Sequence, residues 1–315
     1  METILITDLD KAADLLKRGE ALILPTETVY GLAASALNPS AINKIFEIKG
    51  RPRDNPLIVH VSSIEQAEGI ASDLPEEFYH LAKRFWPGPL TLIVKRGEGI
   101  PAEVSAGHPT VAIRMPSHPI AKRVIELAGP LAAPSANLSG RPSPTNLRDA
   151  LEDLGGKVAG AIDGGASQVG LESTVLSLYG DQPVLLRPGS ITKETLENAL
   201  GLSILLPASD ATVHSPGMKY RHYAPKAKLR LAHRLDDLKG KFILSYVEIK
   251  GAKKLSGKTF YALLREADRL GIEEIEIYME ETLLKDAALM NRLLRAAGQV
   301  YPNEFKIWEF DKEAP

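Results

Sequence analysis

Residues 49–60 read Lys-Gly-Arg-Pro-Arg-Asp-Asn-Pro-Leu-Ile-Val-His and connect a predicted helix to a predicted strand. This helix–loop–strand order is typical of an α/β fold. The stretch carries three cations and two prolines, and only Asp54 offers a neutralising charge. A segment that only connects two elements does not usually hold like charges this close, because they repel each other. Guanidinium groups on a stiff loop suit bidentate binding of phosphate or carboxylate, so the stretch predicts an anion site.

Apolar spacing outside this stretch extends the α/β pattern in both directions. Helices are predicted over residues 9–16, 39–48, 63–71, 75–85, 117–127, 146–154 and 192–200. Strands are predicted over residues 21–25, 57–61, 90–95, 111–114, 131–133, 159–162, 173–178 and 184–187. Because strands outnumber helices locally, we expect a twisted mixed sheet with helices packed on it rather than a strict doubly wound fold.

Length and composition indicate two domains and a linker. At 315 residues with 44% apolar content, the chain exceeds what one core usually supports. We predict a first domain over residues 1–203, a linker over 204–227 and a small α/β, Rossmann-like domain over 228–315. The second domain's predicted strands and helices cover residues 228–232, 241–247, 261–270, 274–279 and 283–297. The linker is too aromatic and cationic for a passive tether, so we expect it to dock on the first domain.

Composition also excludes several classes of protein. A net charge of −2 argues against a general nucleic-acid or membrane-surface binder, so any cationic function is local. Without cysteine there is no disulfide, no thiolate nucleophile and no cysteine-ligated metal. The histidines show no pair at helical metal-ligand spacing, so we expect no metal held by the protein alone. We expect a soluble, cytoplasmic protein, since no apolar run has the length of a membrane span.

Four motifs carry the candidate chemistry, and each has a purely structural alternative. Lys49 is either a ligand contact or a last-turn cation ahead of a Gly50 cap. The turn over residues 25–31, Pro-Thr-Glu-Thr-Val-Tyr-Gly, either lines a crevice or is a hydroxyl-capped turn. Residues 133–143, Ala-Pro-Ser-Ala-Asn-Leu-Ser-Gly-Arg-Pro-Ser, suit phosphate or sugar oxygens but are also ordinary turn formers. Residues 164–174 form either a lid or a long hairpin.

Together these motifs resemble the YrdC-domain threonylcarbamoyl-AMP synthases in their two-domain version. The resemblance rests on Lys49-Gly-Arg51, Ser135-Ala-Asn137, residues 25–31 and the Tyr220-Arg-His-Tyr223-Ala-Pro225 segment of the linker, and it covers essentially the whole chain. It implies a twisted mixed sheet with a large basic cavity. It also implies synthesis of L-threonylcarbamoyl-AMP and pyrophosphate from L-threonine, bicarbonate and ATP, the first step of threonylcarbamoyladenosine formation at position 37 of tRNAs that read ANN codons.

The resemblance assigns the site residues to two substrates. Those implied for threonine are Thr28, His60, Arg114, Ala133 and Ser173. Those implied for ATP are Lys49, Arg51, Asn55, Thr110, Ser135, Asn137, Ser143, Arg187 and Tyr223. Lys49 and Arg51 are the expected catalytic residues, acting electrostatically, while His60 is either a base on the threonine amine or an orienting hydrogen-bond partner. Arg53 receives no role beyond pairing with Asp54. Mg²⁺ is expected to enter with ATP, and no organic cofactor is implied.

The same resemblance gives the linker and the second domain a purpose. Tyr223 is expected to close over the nucleotide, and the C-terminal domain to anchor this lid rather than perform chemistry. The implied partner is a downstream tRNA threonylcarbamoyl transferase that receives the adenylate, with no membrane contact and no stable tRNA binding. Two alternatives stay open: an RNA-binding translation or ribosome-assembly factor that uses the same basic cavity, and a carbamoyl transferase of the hydrogenase-maturation type. The second is weakened because this chain lacks that machinery's cysteine-rich zinc modules.

Overall fold

The computed structural model describes residues 2–207 and 223–298. These residues form a sheet of ten strands and a second sheet of four. The predicted α/β class, with a large mixed sheet and a smaller second α/β unit, is confirmed. In the described ranges, no helix has the length and apolar character that crossing a membrane would require.

The large sheet mixes parallel and antiparallel pairs. Its strands are β1 (Ile4–Leu5), β2 (Leu22–Leu24), β3 (Gly31–Ser35), β4 (Ile58–His60), β5 (Leu90–Lys95), β6 (Thr110–Arg114), β7 (Leu131–Ala132), β8 (Gly160–Ala161), β9 (Thr174–Ser177) and β10 (Val184–Arg187). Their spatial order is β1-β8-β2-β3-β7-β4-β6-β5-β9-β10. Near the middle, β4 runs parallel to β6 and antiparallel to β7. Segments that are distant in sequence therefore meet around β4.

Helices cover the large sheet and deliver the loops that follow them. They are α1 (Leu9–Lys17), α2 (Pro39–Lys49), α3 (Ile64–Glu68), α4 (Glu76–Phe85), α5 (Pro119–Ala128), α6 (Leu147–Leu154) and α7 (Lys193–Leu200). Helix α2 begins where the Asn38 side chain accepts from two backbone N–H groups, and Pro39 fits its first turn. It ends at Gly50 with φ of 61°, a left-handed conformation that glycine adopts at little cost. This cap starts the cationic loop.

All predicted helices and strands of the first domain are present, but the two-residue strand β1 was not predicted, and neither was strand β3. Its sequence, Gly-Leu-Ala-Ala-Ser, lacks the β-branched and aromatic residues that indicate strands. Here tertiary context overrides propensity, because β3 is paired on both sides, with β2 and β7. The small side chains suit a strand whose first four residues are buried.

The second unit is a parallel sheet with helices beside it. Its elements are β11 (Lys228–Ala232), β12 (Ile243–Ser245), β13 (Lys253–Lys254), α8 (Phe260–Arg269), β14 (Glu274–Tyr278), α9 (Glu281–Lys285) and α10 (Ala287–Ala296). The strand order is β11-β14-β12-β13. Strand β13 was not predicted, and the single predicted helix over 283–297 is two helices. Asp286 separates them, since its carboxylate accepts from the Leu289 N–H and starts α10.

The two units share part of their apolar core. Val29 and Leu171 of the first domain pack in one cluster with Tyr223 and the second domain's core. The Gly-rich segment 164–174 takes part in this contact and is held by main-chain bonds, for example from Val169 N to Glu27 O at 2.8 Å. At Gly170, φ is +82°, and an added Cβ would lie 2.5 Å from Lys258 Cα. A backbone-to-backbone approach this close needs glycine.

Gly170→Ala should destabilise the protein through both strain and a clash between the domains. Gly165→Ala is the matched control, because Gly165 has φ of +77° with nothing within 4 Å of an added Cβ. The control should cost about 1–2 kcal/mol for the left-handed backbone alone. Gly170→Ala should cost about 1–3 kcal/mol more for overpacking. Thermal unfolding with limited proteolysis measures both, and equal losses for the two variants would contradict the close approach.

Candidate functional site

One cavity lies across strand β4 and opens to solvent. It extends from the loop before β4 to His60 at the strand's end. The sequence-predicted residues that line it are Thr28, Lys49, Arg51, His60, Arg114, Ala133, Ser135, Asn137, Ser173, Arg187 and Tyr223. The motifs chosen from sequence therefore converge on one cavity.

Lys49 holds two of the cavity's loops together. Its side chain is buried, and Nζ donates to the carbonyl oxygens of Ser135 and Asn137, each at 2.5 Å. Burial and the nearby charge of Arg51 lower the pKa of Lys49 well below its usual value, with Asp153 opposing. Gly50 does cap the helix, as the structural alternative held, but the Lys49 ammonium is turned to the cavity wall and keeps one N–H for a ligand.

Arg51 organises the cationic loop itself. Its Nε donates to Asn55 O at 3.1 Å, and Nη2 donates to Asn55 Oδ1 at 2.6 Å and to Pro56 O at 2.9 Å. Burial lowers the pKa of Arg51 to about 10, which leaves it cationic at neutral pH. Asn55 does not line the cavity, but its two oxygens hold the guanidinium group of Arg51, which does. Arg53 instead faces helix α2, where it donates to Asn43 Oδ1 and lies 4.0 Å from Glu47 Oε1.

Arg114 ends β6 in a buried network. Its Nη2 donates to Glu27 Oε1 at 2.6 Å, Nη1 to Thr28 Oγ1 at 2.8 Å and Nε to Gly88 O at 3.2 Å. Burial raises the pKa of Glu27, but the charge and hydrogen bond of Arg114 outweigh it and hold that pKa below its usual range. The network fixes the guanidinium plane while leaving N–H groups for a carboxylate ligand.

His60 lies beside Arg114, because the parallel strands β4 and β6 pair these two residues in register. Burial and the charge of Arg114 lower the pKa of His60 to about 3. The imidazole is therefore neutral at physiological pH and a weak proton acceptor. Within the described part of the chain, His60 Nδ1 is buried without a hydrogen-bond partner, as is Oδ1 of Asn137. Such orphaned polar atoms on a cavity wall are suited to a polar ligand that completes them.

Another part of the cavity wall is built around Ser173. Its hydroxyl lies 2.7 Å from Thr91 Oγ1, and Arg187 donates to its carbonyl oxygen at 3.0 Å and to Oγ at 3.1 Å. Burial lowers the pKa of Arg187 from its usual value. Both strand ends, at the start of β9 and the end of β10, are thereby tied together.

Besides Asn55, two further predicted residues lie outside the cavity lining. Thr110 starts β6 and faces a separate small pocket with Ala112 and His108. It shares a strand face with Arg114, but four residues of strand separate them by roughly 13 Å. Ser143 is fully buried behind the wall and donates to Glu172 Oε1 at 2.6 Å. Since this uses its single O–H, its hydroxyl offers a ligand only lone pairs in this arrangement.

The end of the linker touches the cavity. Tyr223 adopts φ of 64°, lines the cavity and stacks near Tyr261 with ring centroids 5.4 Å apart. Ala224 N donates to Gly140 O at 2.9 Å, which fixes this end against the loop over residues 133–143. Tyr220, Arg221 and the rest of residues 208–222 fall outside the described part of the chain.

Sequence reasoning gave no role to two buried carboxylates, Glu27 and Glu172. Both stand in motifs that were singled out, but their partners are 87 and 120 residues away in sequence, at Arg114 and Arg292. Among the residues that the structure describes, no cluster of three or more His, Asp or Glu side chains is placed to hold a metal ion.

Comparison with known proteins gives matches over both domains. A family model described as telomere recombination, of the Sua5, YciO and YrdC group, matches residues 14–189. One described as the C-terminal domain of threonylcarbamoyl-AMP synthase matches residues 191–298. The threonylcarbamoyl-AMP synthase of Pyrococcus abyssi is 42% identical, covering 91% of this chain and 93% of its own length. That of Bacillus subtilis is 43% identical, covering 91% and 92%. A crystal structure of P. abyssi Sua5 complexed with L-threonine superposes with a TM-score of 0.84 at 39% identity, covering 95% of this chain and 99% of that one.

Glu27→Gln should strongly destabilise the fold, because it leaves the buried Arg114 charge uncompensated. We expect a loss of about 3 kcal/mol in the free energy of unfolding at neutral pH. The loss should shrink in acid, since a carboxylate with a lowered pKa stabilises the folded state above its ordinary pKa and loses that effect as pH falls through the folded pKa.

Urea unfolding across a pH series measures this prediction. Asp73→Asn is the matched control, because it breaks an exposed pair with Lys95 and should change stability little. If the two variants unfold at the same urea concentration at neutral pH, the buried pair does not support the fold as described.

Proposed function

The chain belongs to the Sua5/YrdC family as a two-domain threonylcarbamoyl-AMP synthase, and we propose that its cavity joins L-threonine, bicarbonate and ATP into L-threonylcarbamoyl-AMP with release of pyrophosphate. The proposal rests on one observation: two different groups of polar side chains line the same cavity around β4. A fixed guanidinium beside a neutral imidazole lies at one end, and a lysine–arginine pair lies at the other. The first suits an amino acid carboxylate, and the second suits a triphosphate.

Threonine binds at the end of β4. Its carboxylate pairs with the free N–H groups of Arg114, whose plane Glu27 and Thr28 fix. The neutral His60 and the Ser173 hydroxyl contact the remaining polar groups, with the Ala133 backbone nearby. The threonine complex of P. abyssi Sua5 supports this half of the proposal. Because the pKa of His60 is about 3, we assign it an orienting role rather than that of a base.

ATP binds along the loops that Lys49 joins. Lys49 and Arg51 face the phosphates, Ser135 and Asn137 contact the nucleotide beside them, and Arg187 and Tyr223 close the far side. Mg²⁺ enters as part of the substrate, MgATP, because triphosphates carry the ion with them. Burial lowers the pKa of Lys49 before ATP binds. A bound triphosphate favours the charged ammonium form of this lysine. ATP binding is therefore accompanied by proton uptake when the pH exceeds the pKa that Lys49 has before binding.

The reaction needs positioning and charge rather than a protein nucleophile. The threonine amine forms a bond to the carbon of carbon dioxide with loss of a proton, or to that of bicarbonate with loss of water, and a carbamate results. A carbamate oxygen then forms a bond to the α-phosphorus of ATP while the bond to the β-phosphate oxygen breaks, and pyrophosphate leaves with that electron pair. Negative charge grows on the phosphoryl oxygens and the leaving group, where Lys49 and Arg51 stabilise it. Holding both substrates in one cavity supplies the orientation.

We assign the product to the first step of threonylcarbamoyladenosine formation at position 37 of tRNAs that read ANN codons. A mixed anhydride of this kind is labile in water, so a downstream tRNA threonylcarbamoyl transferase must receive it. Tyr223, packed at the cavity edge, restricts water access to it. The RNA-binding alternative is not advanced, because the full-length relatives are synthases.

Pyrophosphate release should require threonine, bicarbonate and ATP together, and Arg51→Ala should abolish it. Arg51 both carries charge at the cavity and holds the loop through Asn55 and Pro56. The matched control is Arg53→Ala, which removes the same group from the same loop but on the side that faces Asn43. It should keep near wild-type activity. Thermal unfolding of both variants separates lost chemistry from lost folding.

Release of pyrophosphate without threonine would contradict the proposed reaction. Equal losses of activity in Arg51→Ala and Arg53→Ala would contradict the placement of the triphosphate. A steep salt dependence of RNA binding, with no threonine-dependent release, would instead favour the RNA-binding alternative.

A further inference from the structure

Two buried carboxylates of the catalytic domain are held by arginines of the C-terminal domain. Glu172 pairs with Arg292, Nε to Oε2, at 2.9 Å. Asp153 pairs with Arg265, Nη2 to Oδ2, at 3.0 Å. Both arginine side chains are almost completely buried. Burying ions is costly unless each is paired and hydrogen-bonded, so these contacts strongly constrain where the carboxylates lie.

Glu172 lines the cavity, and its contacts argue against a catalytic role. Its Oε1 accepts from Ser143 Oγ at 2.6 Å and from Tyr261 OH at 3.1 Å, and its Oε2 accepts from Tyr261 OH at 2.8 Å and from Arg292. Burial raises the pKa of Glu172, but Arg292 and Arg187 outweigh it and keep that pKa below its usual value. An ionised carboxylate with both oxygens occupied is neither an available base nor an acid.

Glu172 is instead connected to two residues of the cavity lining, Ser173 and Tyr223, and to Ser143 behind that lining. Ser143 is bonded to its side chain, and Ser173 follows it directly in the chain. Its two C-terminal-domain partners also contact the linker: the Tyr261 ring lies 5.4 Å from that of Tyr223, and the Arg292 guanidinium lies 5.9 Å from the Tyr223 ring centroid. Arg292 further donates to the Glu172 main-chain oxygen at 3.2 Å.

The Asp153–Arg265 pair likewise holds the loop over residues 133–143. Asp153 Oδ2 accepts from Leu138 N at 3.1 Å, next to Asn137. Arg265 also donates to Pro142 O at 2.6 Å, next to Ser143. A third pair across the same interface, Arg269 with Asp149 at 2.8 Å, touches none of the cavity's loops among the described residues.

We propose that Glu172 is a positioning residue through which Tyr261 and Arg292 of the C-terminal domain set the nucleotide side of the cavity. The inference rests on the proposed function and adds to it the group that transmits the position. Ser173 is also held by Thr91 and Arg187, so it retains its place without Glu172. The Tyr223 ring, in contrast, contacts Tyr261 and Arg292, the two residues that hold the Glu172 side chain. Disturbing Glu172 or these partners should therefore weaken ATP binding more than threonine binding.

Tyr261→Phe tests the proposal with little disturbance of folding, because it removes only the hydroxyl that bonds Glu172. The full-length variant should show a KM for ATP raised roughly tenfold, since small misplacements of binding groups have effects of this size or larger. The KM for threonine should change much less. Glu172→Gln should raise the KM for ATP further and also lower the thermal unfolding midpoint. Arg269→Gln is the interface control and should leave both KM values unchanged.

The outcomes separate the two claims. If the wild-type protein makes pyrophosphate but Tyr261→Phe and Arg269→Gln have the same KM for ATP, Glu172 does not position the site and the inference is wrong. If threonine and ATP lose affinity equally, a general loosening explains the result and the inference is again wrong. If the wild-type protein releases no pyrophosphate with all three substrates, the proposed function fails and the inference fails with it.

Discussion

The structure depends on keeping several cationic side chains buried around one cavity without letting their repulsion open it. Like charges in a low-dielectric interior raise the free energy of the folded state unless acceptors surround them. Main-chain carbonyls serve this purpose at Lys49 and Arg51. Carboxylates serve it at Arg114 and Arg292. Each acceptor also fixes the orientation of its cation. The same contacts therefore compensate the buried charges and preorganise the site.

This arrangement explains why the site draws on segments from the whole chain. Lys49 ties the end of α2 to the loop over residues 133–143, and Arg114 ties β6 to the turn over residues 25–31. Glu172 continues the network into the C-terminal domain. Among the described residues, Lys49 and Arg114 retain N–H groups that no protein acceptor uses. Anionic substrates can accept hydrogen bonds from these N–H groups. Because burial without an anion lowers the pKa of Lys49, a bound anion stabilises its charged form.

The sequence predicted the loops of the site better than the contacts that hold them. Local signals identified the α/β class, the cationic loop and the turn over residues 25–31. Charge clusters, prolines and turn-forming residues can be recognised from a few neighbouring positions in the sequence. The strand β3 was missed because small residues carry no strand signal of their own. The positions of Glu27 and Glu172 against distant arginines depend on tertiary packing, which no local pattern reports. Thr110 lies away from the cavity because the length of β6, rather than its alternation, separates it from Arg114.

The central claim is that one cavity holds an amino acid at Arg114 and a triphosphate at Lys49 and Arg51. A crystal structure of the full-length protein with L-threonine and a non-hydrolysable ATP analogue tests it most directly. We predict that the threonine carboxylate contacts the Arg114 guanidinium and that the phosphates lie within hydrogen-bond distance of Lys49 Nζ and Arg51. Threonine away from Arg114, or the analogue bound outside this cavity, would contradict it.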